Sequence, residues 1–123
     1  MNVGILGAGS FGTTLALVLN SNDHKVTCWS FEKDTVDDIK LNGINKKFLP
    51  GIEISTAINF TTDLYETARN KDVIVVAVPS QAVREVLLKL DNKYDSNTIW
   101  VNVAKGIENN TLFRILTCSP PLL

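Results

Sequence analysis

Short apolar runs alternate with amphipathic stretches along the whole chain. Residues 3–6 (Val-Gly-Ile-Leu) form the first run and predict a strand. Residues 11–20 read as a helix, with Leu15, Leu17, Val18 and Leu19 expected to supply a largely buried face. Ser21-Asn22-Asp23 is turn chemistry, and residues 26–30 are a second strand. Residues 32–42 read as an amphipathic helix with Val36, Ile39 and Leu41 as its stripe. Asn42-Gly43 ends it, because glycine suits the position just past a helix. A longer connection covers 44–55, and 58–61 is a short third strand. Asp63 is placed to cap a helix over 64–69. Residues 73–78 (Val-Ile-Val-Val-Ala-Val) form a nearly unbroken apolar run, as in a parallel strand covered on both faces. Pro79-Ser80 stops that run, and Ser80 is placed to cap a helix carrying Val83, Val86, Leu87 and Leu90. Residues 98–103 are a fifth strand, Lys105-Gly106 is a turn, and a last helical stretch begins at Asn109 or Asn110.

Strands and helices alternating at these lengths imply parallel βαβ units. The expected fold is therefore α/β, a doubly wound parallel sheet of Rossmann type. In such sheets ligands bind outside the C-terminal ends of the strands. That rule singles out residues 7–12, 30–32, 78–80 and 104–108.

The first of these segments carries specific chemistry. Gly7, Gly9 and Gly12 form Gly-x-Gly-x-x-Gly between the first strand and the first helix. This order suits a dinucleotide pyrophosphate. Gly7 permits a tight turn, Gly9 lets the backbone approach the phosphates, and Gly12 lets helix and strand pack closely. The helix N-terminus then offers free N–H groups and partial positive charge.

Composition narrows the alternatives. The chain has 123 residues, enough for one domain, with 45% hydrophobic residues and a net charge of −1. Twelve basic and thirteen acidic residues without a basic stripe give nucleic acid no purchase. No apolar run approaches the roughly 18–20 residues of a membrane span. A cytoplasmic protein is expected. Cys28 and Cys118 have no metal-like spacing, so two reduced thiols and no metal are expected. His24, the single histidine, sits in a polar turn and is not expected to act as a base. Lys46-Lys47 reads as a solvated pair.

The glycine motif is joined by Trp29-Ser30-Phe31-Glu32, Phe48-Leu49-Pro50-Gly51, Ala77-Val78-Pro79-Ser80 and Ala104-Lys105-Gly106-Ile107-Glu108. In this order and spacing they resemble the N-terminal half of NAD(P)-dependent glycerol-3-phosphate dehydrogenases, over residues 1 to about 116. The resemblance implies backbone contacts from Ser10 and Phe11 to the pyrophosphate. It implies Phe31 at the adenine end, Phe48 near the cofactor, and Pro79 and Ser80 beside the nicotinamide-side ribose. It places Lys105 on both cofactor and substrate, and a lysine past a strand end can hold a phosphate or polarise a carbonyl. Phe31 and Phe48 also read as ordinary core or rim aromatics, and Lys105 as a solvated turn lysine.

The cofactor is read as NAD or NADP. Glu32 lies about where a dinucleotide fold places its ribose-binding acid, roughly twenty residues past the glycines. It equally suits the first turn of the next helix. No arginine stands nearby for a 2′-phosphate, and Lys33 is the weaker candidate. NAD is favoured.

The resemblance further implies a second, helical domain with the catalytic groups, which this sequence is expected to lack. Residues 1–116 are read as the dinucleotide-binding domain and 117–123 as a tail unlike the family. Apolar faces left uncovered predict a homo-oligomer. Two other readings stay open. One is a stand-alone nucleotide-sensing module. The other is a related dehydrogenase of a different substrate.

Overall fold

The computed structural model describes residues 1–91 and 93–103. Among the described residues, five parallel strands form the main sheet. They are β1 (Asn2–Leu6), β2 (Lys25–Trp29), β5 (Asn59–Thr61), β6 (Val73–Val76) and β7 (Ile99–Asn102), in the order β5-β2-β1-β6-β7. Helices α1 (Ser10–Ser21), α2 (Lys33–Asn42), α3 (Leu64–Ala68) and α4 (Val83–Leu90) join them. From β1 the chain runs outward on one side to β2 and on the other to β6. That reversal is the switch point of a doubly wound sheet, so the expected fold is the observed one.

Side-chain alternation along each inner strand builds two cores. Val3, Ile5, Val26, Cys28 and Val75 pack on one face with Ala16 of α1 and with Val36 and Ile39 of α2. Leu6, Trp29, Ile74 and Val76 pack on the other with Ala68 of α3 and with Val83, Val86 and Leu90 of α4. This two-sided burial is why residues 73–76 read as a continuous apolar run. Gly4 faces α3 at a close crossing. A Cβ there would lie 2.1 Å from the Thr67 carbonyl oxygen.

Several local expectations hold. Asp63 caps α3 by accepting from the N–H groups of Tyr65 at 3.0 Å and Glu66 at 3.3 Å. Gly43 ends α2 in the left-handed region at φ 70°. Others are corrected. The fully buried residues of α1 are Gly12, Thr13 and Ala16. Leu15, Leu17 and Leu19 are only partly buried, and Val18 is exposed. The helix lies so near the sheet that only small side chains fit between them. Leu41 is exposed too, because it falls two positions past Ile39 and so on the far side of α2. Ser80 does not cap α4. Pro79 precedes a single 3₁₀ turn, Ser80–Ala82, and the Ser80 hydroxyl donates to Gln81 Oε1 at 3.3 Å.

The stretch read as a plain connection holds a small antiparallel sheet, β3 (Ile44–Asn45) with β4 (Leu49–Glu53). Among the described residues no helix is long and apolar enough to cross a membrane. Lys105, Cys118 and the expected last helix lie outside the described residues.

Candidate functional site

The loops that leave β1, β2, β6 and β7 at their C-terminal ends meet around one cavity of about 620 Å³. Residues 7–11, 30–32, 77–81 and 103 line it, and residues 47 and 48 reach in from the β3–β4 turn. Three of the four segments singled out by the strand-end rule therefore converge. The fourth lies outside the described residues.

The glycine turn shows three separate constraints. Gly7 has φ 125°, which side-chain-bearing residues rarely adopt, and a Cβ would lie 2.8 Å from the Ala77 carbonyl. A Cβ on Gly12 would lie 1.9 Å from the Gly7 carbonyl oxygen, so α1 depends on its absence. Gly9 is different: nothing lies within 4 Å of the position its Cβ would take. Its backbone is ordinary, with φ −74°, and it occupies the N-cap of α1. The first turn of α1 carries no acidic residue. An anion placed there meets no side chain at Gly9 and faces the positive end of the helix. A pyrophosphate suits this cradle.

The remaining candidates surround it. Gly7, Gly9, Ser10, Phe11, Phe31, Phe48, Pro79 and Ser80 all line the cavity. Gly12 stands behind the turn, where close packing requires it. Phe31 is 67% exposed and Phe11 46%. A core reading therefore fails for Phe31, whose ring stands 6.1 Å from that of Trp29 as a lip of the cavity. Phe48 is half-buried and lines the cavity from the β3–β4 turn.

The hairpin is fastened to the glycine turn by polar contacts that sequence reading missed. Asn45 is 1% exposed. Its Nδ2 donates to the Ala8 carbonyl at 3.0 Å and to Thr13 Oγ1 at 3.1 Å. Its Oδ1 accepts from the Phe48 N–H at 3.2 Å. The Ser10 hydroxyl donates to the Phe48 carbonyl. From the other side, Asp38 accepts from the Lys46 N–H at 3.2 Å and from Asn42 Nδ2 at 2.7 Å. The Asn42 amide and then the Lys46 N–H hold the Asp38 carboxyl below its ordinary range.

Lys46 and Lys47 are both exposed, as expected of a solvated pair, but Lys47 is also held at the cavity edge. Its Nζ lies 2.6 Å from Glu32 Oε2 and 5.2 Å from the centre of the Phe48 ring. Both charged groups border the cavity. Lys33, the candidate named from sequence, instead pairs with Asp37 along α2 at 2.9 Å and does not line the cavity. The only signal in the sequence was the Lys46-Lys47 pair itself, which says nothing of which lysine pairs with Glu32 at the cavity edge.

Comparison with known proteins agrees with the geometry. Residues 2–118 match the family model described as NAD-dependent glycerol-3-phosphate dehydrogenase N-terminus. The chain is 46% identical over 113 residues to the glycerol-3-phosphate dehydrogenase (NAD(P)+) of Bacillus velezensis, covering 92% of this chain and 33% of that protein. It is 42% identical over 112 residues to the same-named protein of Syntrophotalea carbinolica, covering 91% and 34%. The solved glycerol-3-phosphate dehydrogenase of Coxiella burnetii superimposes with a TM-score of 0.81 at 35% identity, over 88% of this chain and 33% of that one. The chain thus spans about a third of the length of the curated relatives it matches.

Proposed function

The chain belongs to the NAD-dependent glycerol-3-phosphate dehydrogenase family, at its N-terminal part, and on that premise we propose that it is the dinucleotide-holding part of an oxidoreductase. The reaction is the interconversion of sn-glycerol 3-phosphate and dihydroxyacetone phosphate with NAD or NADP. The bound dinucleotide supplies or accepts the hydride. The observation that carries this reading is the open position at Gly9, set against a helix N-terminus with no acid in its first turn.

In this reading the backbone N–H groups of Ser10 and Phe11 hold the pyrophosphate. Phe31 covers the adenine, and Phe48 closes over the cofactor from the hairpin. Pro79 and Ser80 border the nicotinamide-side ribose. Lys105, past the end of β7, contacts both cofactor and substrate. Its ammonium would hold the substrate by charge. Residues 1–116 are the dinucleotide-binding domain and 117–123 a tail. The groups that move the proton belong to the part of the relatives that this chain does not match. A cytoplasmic, self-associating protein fits this role. The exposed Ile99 and Val101 of β7 favour association.

The test is a fluorescence titration of the purified chain with NADH, followed by displacement with ADP-ribose. Saturable, displaceable binding is expected. No binding at millimolar NADH would overturn the proposal. Mixed with dihydroxyacetone phosphate and NADH, the same chain is expected to give little or no turnover. Rapid turnover would place the proton-moving groups within these 123 residues. Sedimentation velocity checks the association, which a sharp monomer would exclude.

A further inference from the structure

We infer that the Glu32–Lys47 ion pair sets the choice between a dinucleotide with a free 2′-hydroxyl and one with a 2′-phosphate. The inference rests on the proposed dinucleotide site and adds a residue to it. An acid just past the second strand accepts hydrogen bonds from the ribose hydroxyls and repels a 2′-phosphate. Glu32 stands at that place, directly after Phe31 on the cavity wall. Its charge is not isolated. Lys47 Nζ reaches it from the hairpin, 2.6 Å from Oε2, so the two charges nearly cancel at the cavity edge.

The pair is also open to a ligand from the lysine side. The Lys47 side chain is 62% exposed and that of Glu32 25%. The ammonium is the open side of the pair, so a ligand group reaches it from solvent while the Glu32 carboxylate stays partly covered. With a free ribose diol, Glu32 accepts its hydroxyls while Lys47 continues to neutralise the carboxylate. With a 2′-phosphate, Lys47 divides its three N–H donors between the phosphate and the Glu32 carboxylate, so neither anion is left unpaired. The ammonium stays within reach because the hairpin carrying it is tied to the glycine turn through Asn45 and Ser10. Lys33 cannot share this role, since it faces Asp37 and lies off the cavity. A site with Glu32 alone would reject NADP, and a site with Lys47 alone would favour it. The pair makes the site tolerant of both.

The experiment measures dissociation constants for NADH and NADPH with the full chain and its Lys47→Ala, Lys47→Arg and Glu32→Gln variants. Lys47→Ala is expected to weaken NADPH about tenfold, the scale of one charge-assisted contact, and to leave NADH within about twofold. Lys47→Arg is expected to keep the native ratio. Glu32→Gln is expected to tighten NADPH and weaken NADH. An NADPH-to-NADH ratio that Lys47→Ala and Glu32→Gln both leave unchanged overturns the inference while leaving the dinucleotide site intact. Equal weakening of both ligands by Lys47→Ala also overturns it, because Lys47 would then act only as packing for Phe48. Failure of the native chain to bind either ligand removes both the site and the inference.

Discussion

The Asn45 amide donates to the Ala8 carbonyl at 3.0 Å, and this bond joins the β3–β4 hairpin to the glycine turn. The two residues lie 37 positions apart in sequence. Asn45 satisfies one acceptor of the turn and one donor of the hairpin at once, through Ala8 and the Phe48 N–H. Both halves of the cavity wall therefore keep a fixed distance. A buried amide with every group partnered gives direction as well as stability.

Asn45→Ala is expected to lower stability by about 1–3 kcal/mol, since the Phe48 N–H and part of the Ala8 carbonyl lose a partner. Urea unfolding measures that loss. NADH affinity is expected to fall with it, because Phe48 is no longer held at the rim. Native affinity in a destabilised Asn45→Ala chain would show that the hairpin does not shape the cavity.

Gly9 and Gly12 are three residues apart and should respond oppositely to alanine. At Gly12 the new Cβ would lie 1.9 Å from the Gly7 carbonyl oxygen, so α1 must move off the sheet. A loss of about 3 kcal/mol or more is expected, as for other overpacked sites. At Gly9 the Cβ meets nothing within 4 Å, and the backbone already suits alanine. Only the weaker N-cap is lost, about 1 kcal/mol or less. The Gly9→Ala chain is thus expected to stay folded by circular dichroism yet lose NADH binding. A folded Gly9→Ala chain with native affinity would contradict the pyrophosphate cradle.

Gly4→Ala tests packing away from the cavity. The methyl would lie 2.1 Å from the Thr67 carbonyl oxygen, a backbone atom that cannot swing aside. Helix α3 must then leave β1, exposing part of the core around Ala68 and Ile74. A loss of about 3 kcal/mol or more in denaturant titration is expected.

The sheet and the glycine turn were legible because their signals are local. Residues 73–76 are apolar on both faces, and Gly7 and Gly12 follow a strand at fixed spacing. Ends set by backbone chemistry were legible too, as at Asp63 and Gly43. What escaped depends on partners distant in sequence. The role of Asn45 is set by Ala8, and that of Lys47 by Glu32; neither spacing marks a motif. The buried face of α1 was misjudged for a related reason. Hydrophobicity points to Leu15 and Leu19, whereas the short helix-to-sheet distance selects Gly12, Thr13 and Ala16.

Cys28 provides the pH prediction. It is fully buried between β1 and β5 on β2, its Sγ 3.6 Å from the Gly7 carbonyl, and burial pushes its pKa far above the ordinary 9.0. Below pH 9 the thiol is neutral in both folded and unfolded chains, so it adds no pH dependence. Above that value the unfolded chain releases the proton and the folded one keeps it. Fewer protons are then bound when unfolded, and stability falls as pH rises. The expected slope is about 1.4 kcal/mol per pH unit from this group alone. Urea unfolding between pH 8 and pH 10.5 should show the decline, and Cys28→Ala should remove this part of the slope despite its lower starting stability. In a Cys118→Ser background, a thiol reagent should leave the folded chain unmodified and react at once on unfolding. Rapid labelling of the native chain would mean that the strands around Cys28 open readily.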